Sequence, residues 1–125
     1  MKQLLVLLLL AGVVGCGASD ADKAKSEFDK GVDFAARNDW TTAIACFDKA
    51  IQLHPDYAVA YNNRGGTYGK KGEYDKAIAD CTEAIRIDPD FAEAYNNRGV
   101  AHRELGNDVK AAADFAKADE LGYKP

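Results

Sequence analysis

Apolar residues recur along most of this chain at the three- and four-residue steps of helical faces. Ile44, Phe47 and Ile51 follow that spacing, Ile78 and Ile85 repeat it, and Phe34, Tyr68 and Phe115 complete a set predicted to form the core. A longer period lies on top of the helical one. Gly31, Gly65 and Gly99 are 34 residues apart; Ala43, Ala77 and Ala111 keep the same register, as do Ala50, Ala84 and Ala118, and Pro55 and Pro89. A 34-residue period marks a helix–turn–helix solenoid, here of three units at 24–57, 58–91 and 92–125, each a helix A followed by a helix B. The three glycines fall mid-helix, where each costs about 1 kcal/mol against Ala. Their recurrence predicts a close approach by a second backbone, with Ala43, Ala77 and Ala111 opposite. Pro55 and Pro89 end helix B, and Asp56 and Asp90 are the expected N-caps of the next helix A.

The N-terminus breaks this pattern. Leu4 to Leu10 is an uninterrupted apolar run, extended by Ala11-Gly12-Val13-Val14. It is shorter than the about 20 residues that span a bilayer and fits the apolar stretch of a signal peptide. Val13-Val14-Gly15-Cys16 resembles the lipobox of bacterial lipoproteins. That resemblance implies removal of residues 1–15, acylation of Cys16, and an anchor in the membrane of the cell envelope. With Gly17 rather than an acidic residue after the Cys, it further implies the outer membrane, facing the periplasm, if the cell has two membranes. Cleavage after Gly15 or Gly17 to release a soluble secreted protein is the alternative, and an uncleaved anchor a third. Residues 16–23 would be the lipidated Cys and a small polar linker, of which the seven residues after Cys16 reach about 25 Å when extended. Two or three acyl chains would hold the protein firmly, since a single chain binds only marginally. Loss of Lys2 with the signal peptide moves the net charge from −4 to −5 and leaves 110 residues, enough for one modest core. An acidic chain has no general attraction for nucleic acid.

Ala-Val-Ala-Tyr-Asn-Asn-Arg-Gly at 58–65 and Ala-Glu-Ala-Tyr-Asn-Asn-Arg-Gly at 92–99 open the second and third units almost identically. With Tyr61, Gly65, Tyr68, Ala77, Ala84 and Pro89, the middle unit resembles the tetratricopeptide repeat (TPR), and the likeness covers nearly all of the chain after Cys16. Departures fall in the outer units, at Glu27, His102, Asp108 and Tyr123, as is common for terminal repeats. The resemblance implies an all-α fold, a right-handed superhelical solenoid of three helix pairs, whose A helices line a concave groove for extended peptides or a partner helix. The family's groove positions correspond to Lys25, Phe28, Val32 and Ala36 in the first unit, Val59, Asn62, Asn63, Gly66 and Lys70 in the second, and Glu93, Asn96, Asn97, Val100 and Arg103 in the third. Side-chain amides offer both donor and acceptor to a peptide backbone; Arg64 and Arg98 beside them would add carboxylate contacts or cover the helix junction. Asn-Asn-Arg is also a habitual helix A pattern in the family, so a structural role stands beside the binding one. The Lys/Asn clamp by which some TPR domains hold chaperone carboxylates is not expected, because Phe28 and Val32 occupy two of its slots.

Nothing in the sequence suggests catalysis. His54 and His102 lie on different units, outside any metal-ligand spacing, and no phosphate loop or nucleophile elbow is present. His54 is expected to be exposed at a helix end, and His102 to be a satisfied, partly buried imidazole in an aromatic slot. Asp75, Asp80 and Glu83 read as a solvated face. Cys46 and Cys81 sit one repeat position out of register on helices expected roughly 8–10 Å apart, beyond the about 7 Å a disulfide needs, so a small buried thiol at Cys81 is expected ahead of a disulfide, which an oxidising compartment would permit. No cofactor or metal is implied. The expected protein is a lipid-anchored extracytoplasmic adaptor that binds a protein partner in its groove, in envelope assembly or secretion. The competing expectation is a self-associating structural lipoprotein, stacking through an uncapped third unit whose outer face carries Val100, Val109, Ala112, Ala113 and Ala116.

Overall fold

The computed structural model describes residues 17–125; the apolar N-terminal run and Cys16 lie outside the described residues. Among the described residues six helices follow one another: α1 (Asp20–Ala36), α2 (Trp40–Leu53), α3 (Ala58–Lys70), α4 (Tyr74–Ile87), α5 (Ala92–Glu104) and α6 (Asp108–Glu120). They pack pairwise as α1/α2, α3/α4 and α5/α6, with α2 against α3 and α4 against α5 joining the pairs. The fold is the all-α stack of three helix pairs that the 34-residue period predicts.

Alanine makes these crossings possible. Ala43, Ala50, Ala60, Ala77, Ala84, Ala94, Ala101, Ala111 and Ala118 are all buried, whereas among the large apolar residues of the described chain only Ile44 and Phe47 are. Phe34, Ile51, Tyr68, Ile78, Ile85 and Phe115 cover the junctions half-buried. The in-register glycines answer a different neighbour from the one expected. A Cβ at Gly31 would lie 2.6 Å from the Phe47 ring, one at Gly99 would lie 2.8 Å from Phe115, and one at Gly65 would lie 2.9 Å from Cys81 Sγ. A helix B side chain fills the space in each unit; at Gly65 backbone comes close as well, with the Ala77 carbonyl at 3.1 Å.

Three helix starts differ from the sequence expectation. α1 begins at Asp20, four residues early, because Ser19 and Asp22 form a reciprocal capping box. The expected linker shrinks to Gly17-Ala18-Ser19. At α3 and α5 the N-caps are Tyr57 and Phe91 rather than Asp56 and Asp90, and neither makes a side-chain cap bond. The Tyr57 and Phe91 amides bond to the carbonyls of His54 and Asp88. This turn carries the chain one residue past the aspartate, and it sets the Tyr57 ring 5.3 Å from Phe28.

The turn inside each unit carries a further repeat. Asn38, Gly72 and Gly106 all have positive φ, at 61°, 79° and 80°. Each supplies the left-handed residue of a Schellman cap, in which the next amide reaches back to Phe34, Tyr68 or His102 at 3.0, 2.9 and 2.8 Å. An L side chain in that conformation is disfavoured by about 1–2 kcal/mol. Gly72→Ala and Gly106→Ala should each lower stability by about 1 kcal/mol in urea unfolding, whereas Asn38→Gly should be neutral or stabilising.

Candidate functional site

Arg64 and Arg98 occupy equivalent places on α3 and α5. Arg64 donates from Nε and Nη2 to the two carboxylate oxygens of Asp80 on α4, at 2.8 and 2.7 Å, and from Nη1 to Asp48 on α2 at 2.7 Å. Arg98 repeats the fork on Asp114 of α6, at 2.9 and 2.8 Å, and reaches Thr82 on α4 at 3.2 Å. Each guanidinium thus ties its own helix B to the helix B of the preceding unit, beneath a tyrosine ring (Tyr61 or Tyr95). Bidentate geometry is the strong form of this contact. The Asp80 hydrogen bond pushes the Arg64 guanidinium above its ordinary value, and burial pushes the Asp80 carboxyl up against the pull of Arg64. Asp80 is therefore buried in a clamp rather than part of a solvated face, and neither arginine is available to a ligand.

The open surface lies on the other side of the A helices. A cleft of about 360 Å³ is lined by Gly65, Gly66, Gly69 and Lys70 of α3, Tyr74 of α4, and Asn97, Val100 and Glu104 of α5. A second, of about 290 Å³, shares Gly66, Lys70 and Asn97 and extends past Asn63 and Glu93 to Val32, Ala35 and Trp40. Together they form one groove across the three units. Among the described residues, Lys70, Glu93 and Glu104 join none of the ion pairs that occupy other surface charges.

The structure brings Val32, Asn62, Asn63, Lys70, Asn97 and Val100 to this groove, together with Gly66 and Glu93, and sends three other expected residues elsewhere. Asn62 lines the second cleft as part of its wall and is fully buried there. Its Oδ1 accepts from Asn97 Nδ2 at 3.0 Å, while its own Nδ2 has no hydrogen-bond partner. Phe28 packs between Phe47, at 5.7 Å, and Tyr57, since this repeat position faces the next unit. At the same position Asn96 donates to the Tyr123 hydroxyl at 3.2 Å. Arg103 lies over the Phe115 ring at 5.4 Å. Of the other family-derived positions, Lys25 is paired with Asp29 at 2.7 Å, and Val59 is 41% exposed away from both clefts. Trp40, Gly69, Tyr74 and Glu104 line the groove outside the set expected from the sequence; Lys70 and Glu104 are one repeat apart, the signal that could have found the last.

The remaining candidate chemistry is quiet. Cys46 and Cys81 are both buried and free, and burial pushes the Cys81 thiol up to about 12, which keeps it un-ionised and unreactive. His54 is exposed and stacks on Tyr57. His102 is part-buried, but it is not satisfied as expected: Nε2 is 4.0 Å from Asp114, whose oxygens Arg98 already holds, and Nδ1 has no partner.

Tetratricopeptide-repeat models match residues 31–72, 58–91 and 81–113. The TPR domain of Arabidopsis OM64 is 30% identical over 83% of this chain and 86% of its own, with a TM-score of 0.82. The chain belongs to the tetratricopeptide-repeat family. The second TPR domain of human RPAP3, solved with the HSP70 peptide SGPTIEEVD, is 32% identical over 85% of this TPR chain and 90% of its own, with a TM-score of 0.80. MamA is 33% identical over 79% of this chain and 58% of its own, at a TM-score of 0.75. A comparison with curated proteins finds no match. TPR domains are scaffolds and typically non-catalytic.

Substitutions on the two sides of the A helices check these assignments. Asp80→Ala removes the bidentate partner and leaves Arg64 only its contact with Asp48, and should cost about 1.5–3 kcal/mol in chemical denaturation, whereas Arg64→Met with Asp80→Leu should cost less. Gly65→Leu, against Cys81 and the Ala77 carbonyl, should cost about 1–3 kcal/mol by overpacking. A Cβ at Gly69 would meet nothing within 4 Å, so Gly69→Ala should instead stabilise the helix by about 1 kcal/mol.

Proposed function

We propose that this chain is a non-catalytic adaptor that captures a segment of another protein in the groove across α1, α3 and α5, held at a bacterial cell envelope by lipid on Cys16. The observation that carries the binding reading is the contrast between the two sides of the A helices. On one side the charges neutralise each other in the arginine clamps. On the other, Asn63, Lys70, Glu93 and Glu104 line open clefts with no ion-pair partner. A peptide bound by the RPAP3 relative supports the same kind of ligand. The anchor rests on Val13-Val14-Gly15-Cys16 and the short apolar run before it. With α1 capped by Ser19, only three residues would separate the lipidated Cys from the first helix, about 10 Å of chain. The adaptor would stay against the membrane, and its partner would be there too.

Self-association is the second reading, favoured by one observation: Val109 is 86% exposed on α6, beside exposed Ala112, Ala113 and Ala116. Head-to-tail stacking would not reproduce the clamp, however. The arginine position of the first unit is Lys30, already bonded to Glu27 at 2.9 Å, and the Asp48 position of the third is Ala116.

Labelling cells with a palmitate analogue tests the anchor. The full-length protein should take up label and sediment with membranes, and Cys16→Ser should do neither. Label-free protein in the medium would establish soluble secretion instead.

A further inference from the structure

We infer that the groove selects an extended segment carrying basic side chains, seated on a glycine floor in α3, in place of the acidic type of peptide seen with the RPAP3 relative. The inference rests on the groove-binding reading above and adds the chemistry of the ligand. Three observations converge on it.

The first is the floor. Gly65 is required by the packing of α4, but Gly66 and Gly69 are not: a Cβ at Gly66 would make an ordinary contact of 3.5 Å with Asn97, and one at Gly69 would meet nothing. Glycine in a helix interior is unfavourable, and the only thing these two secure is space on the groove side. The second is the wall. Asn62 is wholly buried with its Nδ2 unpartnered. It borders the same cleft as Gly66, and Asn97 spends its own amide N–H on Asn62 Oδ1, which leaves the Asn97 oxygen as an acceptor. One unmet donor and one open acceptor beside a gap without side chains suit a peptide backbone, which offers a carbonyl and an amide in alternation. The third is charge. Glu93 and Glu104 on α5 flank the single ammonium of Lys70, and none of the three is paired. The other basic residues at the family's groove positions line neither cleft, with Arg103 over Phe115 and Lys25 on Asp29. A tail such as Glu-Glu-Val-Asp would meet two carboxylates here; a segment with Lys or Arg on either side of the floor would meet complementary charge.

Selection of short random displayed peptides on the full-length protein tests this, in parallel with Gly69→Leu and with Glu93→Lys/Glu104→Lys. Gly69→Leu should melt no lower than the parent, so loss of binding in that variant is not loss of fold. The expected result is several-fold enrichment of Lys and Arg on the parent, abolished by Gly69→Leu and turned towards Asp and Glu by the double reversal. Enrichment that depends on Gly69 but is acidic or indifferent to charge overturns this inference and leaves groove binding standing. Peptides enriched equally on parent and Gly69→Leu, or no enrichment at all, overturn both.

Discussion

Each arginine clamp holds three helices at one point, and the geometry of the groove depends on it. Arg64 joins α3 to α4 through Asp80 and to α2 through Asp48; Arg98 joins α5 to α6 through Asp114 and to α4 through Thr82. A solenoid has no long-range contacts to fix the angle between its units, so that angle rests on nearest-neighbour interfaces. A bidentate guanidinium, planar and permanently charged, defines such an interface more sharply than aliphatic packing alone. Exposed ion pairs such as Lys25–Asp29 contribute little by comparison. The first unit has Lys30 and Cys46 at the clamp positions, and there an aromatic cluster of Phe28, Phe47 and Tyr57 makes the junction to the second unit.

Placing the strong polar contacts on one side leaves the other side free for binding. With Arg64 and Arg98 committed, the groove keeps only a sparse set of charges and amides over a surface of glycine, alanine and valine. The helices that carry them are set in place before any ligand arrives, which reduces the ordering cost of association. Substituting Asn97 has a consequence beyond the groove, because its amide is what satisfies Asn62 Oδ1. Loss of Asn97 would leave a buried side chain with no partner at either end, so its effect on binding cannot be read separately from its effect on stability.

The period carried the fold. In-register Gly, Ala and Pro positions placed six helices in three pairs, and the helical spacing of Ile44, Phe47 and Ile51 identified a core face. Helix starts were less legible, because Ser19 with Asp22 and the turns after Pro55 and Pro89 depend on backbone hydrogen bonds rather than on residue type alone. The Asn38, Gly72 and Gly106 caps were present as a further 34-residue series, as were Arg64 with Asp80 and Arg98 with Asp114, each pair 16 apart. Asp80 read as solvated because burial of a carboxylate follows from its partner across the helix pair, and single-helix patterning does not contain that partner. Phe28 and Asn96 were misplaced, and the burial of Asn62 was missed, for a related reason. They share one repeat position, on the boundary between the groove and the chain that follows each helix pair, and that chain claims the side chain: Tyr57 packs on Phe28, Asn97 donates to Asn62, and the Tyr123 hydroxyl accepts from Asn96.

The proposed function places partner capture in the groove. A photo-crosslinking residue placed at position 69 of the full-length protein, in its own cell envelope, tests it most directly, with position 52 on the opposite side as the comparison. Groove capture predicts a discrete crosslinked partner from position 69 and none from position 52. Crosslinks from position 52 alone, or only to further copies of the same chain, would contradict it.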